Sequence, residues 1–247
     1  RLRHSVQANK NASSRFALPV AKNPFLMKAS VSIVTYNHEN FIGKCLDSVL
    51  SQKVDFDYEI VVGEDCSTDS TRSVLLDYQA RYPERIRLIL QARNVGVHRN
   101  FQMVLDGCKG EYIAHLDGDD LMGEGWLTAA FRNAESCGEE CVQYPEYVIV
   151  FEAQNMILRP LGTRHPQFAA TNLIEYNWWN SVHFFAPRTL LERHPFCASP
   201  VASGFGYEDW HWYCEVIAHG VDIVIVPGTC IFYRRKKNQS RLSIHDS

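Results

Sequence analysis

The chain has 247 residues, 46% of them hydrophobic and 21% charged, with a formal net charge of −3. That is enough apolar material for a packed core, which excludes a disordered or fibrous protein, and the charge balance exerts no overall pull toward nucleic acid or membrane. No apolar run reaches the roughly 18–20 residues that span a bilayer.

Residues 1–29 are polar and broken by turn signals, and read as an N-terminal tail or strap. No signal-peptide apolar stretch is visible there. The chain opens on Arg1 rather than Met, so an excised or trimmed domain is expected, with any targeting segment removed. Order begins at VSIVTY (31–36), apolar on both faces and β-branched, as a central parallel strand requires. A helix is predicted from about Glu39 to Leu50, a strand over 58–65, a helix from about Thr68 to Arg81 and a strand over 86–91. A helix over 97–108, a strand over 111–116 and a helix over 125–136 follow. This β-α alternation predicts a Rossmann-like, mostly parallel sheet flanked by helices, with right-handed crossovers. The second half is less regular: strands over 142–151 and 181–187, a hairpin partner at 155–158, a helix from Tyr207 to His219, and closing strands over 221–227 and 229–234. The tail 234–247 begins with the basic run RRKKNQSR.

In open α/β sheets ligands bind beyond the carboxyl ends of the strands. Three such ends carry polar residues here: Thr35-Tyr36-Asn37, Glu64-Asp65 and Asp117-Gly118-Asp119-Asp120. In the last, three carboxylates crowd around one glycine; the competing reading is a solvated acidic turn in which Gly118 supplies a positive φ. Like charges this close repel, and Mg²⁺ or Mn²⁺, which prefer oxygen ligands, would neutralise them. Asp117 and Asp119 are therefore candidate anchors for a nucleotide diphosphate. Of the eight cysteines, several sit in apolar patterns and none forms a C-x-x-C pair, so a reduced, zinc-free, cytosolic protein is expected. His115 and His183 lie in strand patterns and read as structural.

The stretches VSIVTYNHENFIGKCLDSVLSQ, YEIVVGEDCSTDST, NVGVHRNF and GEYIAHLDGDD resemble the inverting family 2 glycosyltransferases of the GT-A fold, of the bacterial polysaccharide and lipopolysaccharide sugar-transferase type. The likeness is specific over about residues 31–135 and looser beyond 140. It implies one GT-A domain over 30–233, with a nucleotide-binding half (30–137) and a less regular acceptor-binding half (138–233). Thr35, Asn37 and Glu39 would frame the base and ribose, and Asp65 would contact the base, although this chain has Asp65-Cys66-Ser67 where the family often has Asp-Gly-Ser. Arg99 or Asn100 would reach the nucleotide over Gly96. Asp117 and Asp119 form the DxD element, with Asp119 on Mn²⁺ or Mg²⁺. In GYEDWHWYC (206–214), Asp209 would be the catalytic base, Glu208 its support, and Trp210 or Trp212 a wall of the acceptor pocket. Arg234, Arg235 and Lys236 would meet the donor diphosphate or, failing that, anionic lipid. His245 is a further candidate metal ligand. Trp178 and Trp179 are candidates for acceptor or partner contact.

The implied activity is inverting transfer of a sugar from a nucleotide-diphosphate sugar to a hydroxyl of a glycan or lipid-linked glycan, in cell-surface polysaccharide synthesis. The expected setting is cytoplasmic, with peripheral contact at the inner face of the membrane or with other domains of a larger synthase, and no nucleic-acid partner. A non-catalytic glycan- or nucleotide-binding module and a nucleotidyltransferase are the alternatives. The latter would usually carry a Gly-rich phosphate loop where this chain has TYNHEN. No G-x-G-x-x-G follows the first strand, which disfavours a dinucleotide-dependent oxidoreductase.

Overall fold

Every residue of strand β1 (Ala29–Thr35) is buried, and so is every residue of β2 (Tyr58–Glu64), as strands covered on both faces must be. A computed structural model describes residues 27–137, 140–169, 171, 183–196 and 208–236. After β1 and helix α1 (Ile42–Leu50), the chain runs through β2, α2 (Thr71–Arg81), β3 (Ile86–Leu90), α3 (Val97–Gly107) and β4 (Tyr112–Asp117). It continues through β5 (Leu121–Met122), α4 (Trp126–Cys137), β6 (Cys141–Glu152), β7 (Met156–Leu158), β8 (Phe185–Pro187), α5 (Arg188–Arg193), α6 (Glu208–Ala218) and β9 (Asp222–Arg235).

These strands form one nine-stranded sheet in the order β3-β2-β1-β4-β8-β6-β9-β5, with β7 on the side of β6. The first four are parallel; β8 joins β4 antiparallel, β6 joins β8 antiparallel, and β9 runs parallel to β6. Alternation along the strands divides the core. Val31, Ile33, Ile60 and Val62 pack with α1, α2 and α4, whereas Val34 and Val61 face α3 and α6. Gly63 lies under α3 so closely that a Cβ there would stand 2.4 Å from Val104 Cγ2. Among the described residues no helix is long and apolar enough to cross a membrane.

Helices α1 and α2 begin three residues later than the periodicity predicts. The intervening residues are spent on hydrogen bonds between loops, a long-range demand that local pattern does not carry. Two elements were not anticipated: β5, whose two residues pair with Phe232 and Ile231, and α5, which starts directly after Pro187. The two expected closing strands are one. Their predicted break is a bulge, where Pro145 pairs with Val226 but Tyr147 pairs with Cys230. Gly228 takes φ +73° there and its N–H donates to Glu146 Oε2 at 2.7 Å. Strand β9 runs to Arg235, one residue beyond the strand expected over 229–234. The expected strand at 181–187 is described as strand only from Phe185. Residues 1–26, Trp178, Trp179, Cys197, Tyr207 and His245 lie outside the described residues. Every cysteine that is described is free.

Candidate active site

The parallel register sets the carboxyl ends of three strands side by side: Thr35 opposite Glu64, and Val34 opposite Asp117. The loops leaving β1 and β2 are bound to each other. Asn37, at φ +55°, accepts from Thr68 N at 2.8 Å and donates its own N–H to Ser67 Oγ at 3.0 Å. Glu39 N–H donates to Asp69 Oδ2 at 3.1 Å, and Glu39 Oε2 accepts from Ser70 N at 2.9 Å. Asp69 also accepts from Thr71 N at 2.9 Å, so it sits at the start of α2 as its charge suits. Beneath these loops the buried Glu64 carboxylate takes Ser67 N–H and the Arg72 guanidinium.

Asp65 is buried and its carboxylate accepts from Val95 N at 2.7 Å and Gly96 N at 2.9 Å. Burial raises its pKa despite those two N–H donors. The residue thereby holds the 94–96 loop, with Gly96 at φ +86°. Arg99 is exposed on α3. Asn100 is only 1% exposed, and its amide donates to Gly63 O at 2.9 Å, which fastens α3 to β2. The structure therefore brings Thr35, Asn37, Glu39 and Asp65 to the strand ends and sets Asn100 in the packing beneath.

The acidic turn leaves the end of β4, beside the loop that leaves β1. Gly118 has no positive φ; what demands glycine is close approach, since a Cβ would lie 2.8 Å from Thr35 Cβ and 2.9 Å from Val34 O. Asp120 N–H closes the turn on Asp117 O at 3.0 Å. Past the turn β5 pairs with β9, and that pairing returns basic side chains to the carboxylates. Arg234 N–H donates to Asp120 Oδ1 at 2.7 Å and its Nε to Asp119 O at 2.6 Å. The Arg234 guanidinium is sandwiched between the Phe41 and Phe151 rings, 4.5 Å from each centroid, and pairs with Glu152. Arg234 is thus a buried buttress of the turn. Lys236 Nζ reaches Asp119 Oδ2 at 3.0 Å, and His38 Nε2 lies 3.7 Å from the same oxygen.

Asp117 and Asp120 face a different partner, His183. One ligand atom from each of the three lies within 4.8 Å of the others. His183 Nε2 is 2.9 Å from Asp120 Oδ2 in full burial. Burial pushes the Asp120 carboxyl up to about 7 against the pull of His183. Burial alone would lower His183, but the Asp120 carboxylate raises it. Burial also opposes ionisation of Asp117, yet His115 at 3.5 Å, with His183 and His38, holds its carboxyl below the usual range. Two carboxylates and an imidazole, with Asp119 in the same turn, are a donor set that fits Mn²⁺ or Mg²⁺.

Helix α6 packs beside this cluster. Trp212 is buried and stacks on Phe184, next in chain to His183, with ring centroids 5.2 Å apart. Trp212 is thus core, and Trp210 is half-buried. Glu208 is the first residue of α6; Asp209 follows and its carboxylate accepts from Trp210 N at 2.7 Å.

The model of one protein family, glycosyl transferase family 2, matches residues 30–198. The chain belongs to that family. An uncharacterised protein of Mycobacterium tuberculosis is 29% identical over 209 residues, 83% of this chain and 58% of its own. The poly(ribitol-phosphate) beta-glucosyltransferase of Bacillus spizizenii is 40% identical over 101 residues, 39% of this chain and 16% of its own. Among solved structures, S. aureus TarS in complex with UDP-GlcNAc superposes with a TM-score of 0.66 at 19% identity, over 90% of this chain and 62% of that one. A mannosyltransferase from Pyrobaculum calidifontis with GDP-Man and Mn²⁺ gives 0.62 at 19% identity, over 89% and 61%. The fold is GT-A. The chain spans 58% of the length of the mycobacterial relative it matches.

His183, whose strand pattern reads as structural, is a further candidate ligand beside Asp117 and Asp120. Its partner Asp120 lies in another element, and only the β4–β8 pairing brings them together. Nothing local marks such a histidine.

Proposed function

We propose that this domain transfers a glycosyl group, with inversion, from a nucleoside-diphosphate sugar to a hydroxyl of a cell-surface glycan. The observation that carries the reading is the meeting, at three adjacent parallel strand ends, of Thr35, Asn37, Asp65 and the Asp117–Asp120 turn. The loop residues Asn37 and Glu39 line the entrance for the nucleoside. Asp65, by holding the 94–96 loop, shapes the wall against which a base would lie.

Asp117, Asp119, Asp120 and His183 are the residues that would hold a divalent cation, which when bound neutralises charge developing on the leaving diphosphate. Lys236, just past β9, reaches the same turn and supplies a second positive group in reach of phosphate oxygens. Asp209 takes the proton of the acceptor hydroxyl as that oxygen bonds to the anomeric carbon and the bond to the diphosphate breaks. Inversion follows from attack opposite the leaving group. The solved neighbours bound to UDP-GlcNAc, and to GDP-Man with Mn²⁺, support a nucleotide-sugar donor and a metal. The relative acting on poly(ribitol-phosphate) supports a cell-surface polymer as acceptor.

Calorimetric titration with UDP, GDP and dTDP, each with Mn²⁺ and with EDTA, tests the donor site. Metal-dependent binding of one nucleotide is expected, abolished in Asp119→Ala. A folded sample that binds none of the three under either condition returns the domain to a non-catalytic module.

A further inference from the structure

Away from the strand ends, the junction of α5 and α6 gathers a second set of metal-ligating side chains. His194 follows the last turn of α5, and Glu215 and His219 lie one turn apart at the end of α6. One ligand atom from each of the three lies within 4.8 Å of the others. The His194 and His219 ring centroids are 4.9 Å apart, with the planes tilted by 53°.

The elements that carry these side chains are fixed to each other. Trp212 Nε1 donates to His194 O at 2.8 Å, and the Phe196 ring stacks on Trp212 with centroids 4.6 Å apart. The end of α6 is closed by Gly220, at φ +81°, whose N–H donates to Ile217 O at 2.9 Å, and by Val221 N–H on Val216 O at 3.0 Å. His219 Nδ1 lies 2.9 Å from Glu215 O. A carbonyl oxygen only accepts, so the proton sits on Nδ1 and the lone pair on Nε2. That hydrogen bond is the outer support that ligating histidines usually have.

We propose that His194, Glu215 and His219 form a binding site for a zinc-class divalent ion. Two imidazoles and one carboxylate suit a borderline ion, whereas the oxygen-rich acidic turn suits Mg²⁺ or Mn²⁺. Three protein ligands leave a fourth position for water. The exposed His219 ring and the half-buried Glu215 lie beside the His194 imidazole, where solvent can deliver the ion. Bound there, the ion ties the end of α5 to the last turn of the helix whose first turn holds Glu208 and Asp209. It positions α6 and takes no part in the transfer.

The test is titration of the whole chain with Co²⁺ in excess Mg²⁺, which keeps the acidic turn filled, followed by visible absorption and by Zn²⁺ competition. The wild type is expected to show a low-symmetry Co²⁺ band that Zn²⁺ erases. His219→Ala and His194→Ala are expected to weaken binding at least about tenfold, while Asp119→Asn binds as wild type. Melting in EDTA verifies that each variant is folded, and Glu215→Gln replaces any that is not. Absence of the band in the wild type, equal binding by the histidine variants, or loss of the band in Asp119→Asn overturns the proposal.

Discussion

Asp119 and Asp120 are neighbours in the chain with opposite surroundings: one meets the Lys236 ammonium, the other is sealed against His183. Because burial pushes Asp120 up to about 7, the native protein holds a proton that an unfolded aspartate, titrating near ~4, has already lost. The contribution of Asp120 to stability in EDTA is then greatest below that lower value and is lost as pH rises through about 7. In EDTA the urea midpoint of the wild type relative to that of Asp120→Asn should fall across this range as pH rises; a relative midpoint that rises would contradict the assignment. Asp209→Asn tests the base: metal-dependent donor binding is expected to persist while turnover drops by roughly 10²–10⁴. Near-normal turnover would remove Asp209 from the mechanism. The carboxylates were readable from the chain because they sit in short contiguous motifs. Their partners were not, since His38, His183 and Lys236 reach them from three other places in the fold.

At the level of elements, the acidic turn depends on what lies on either side of it. Against β1, Gly118→Ala would drive a Cβ into Thr35 and Val34 O, and neither backbone nor buried side chain can retreat cheaply. A stability loss of roughly 1–3 kcal/mol is expected, with weaker donor binding, measured by urea unfolding and calorimetry. Unchanged donor binding would show that the turn tolerates displacement. Against β9, Arg234→Ala removes the donors to Asp119 O, the pair with Glu152 and both ring contacts. A cost of about 3 kcal/mol is expected, and lysine should not restore it, because a point charge cannot match the planar fork between two rings. Strands β1 to β4 and the helices between them were apparent from periodicity, since each buries a continuous face. The start of α1 and of α2, the two-residue β5 and the bulge in β9 were not. Each is set by pairing with a distant segment, at Asn37–Thr68, Leu121–Phe232 and Glu146–Gly228.

Across the whole molecule, a site assembled from loops and returning strands should respond as a unit. Nucleotide and Mn²⁺ together are expected to raise the melting temperature well beyond the sum of their separate effects; at about 100 times Kd a ligand adds about 2.7 kcal/mol. Additive shifts would argue against a shared site. The proposed division into a nucleotide half and an acceptor half is not a division of the sheet. Strand β8 lies between β4 and β6, and the last strand crosses back to pair with β5, which belongs to the earlier half. Neither half therefore has a closed sheet edge of its own. Cut by a protease or at the gene level between α4 and β6, the pieces should not persist as separate folded bodies, but co-expressed they should find each other and re-form the domain, because the edges of β4 and β5 laid bare on one fragment are those that β8 and β9 of the other were made to cover.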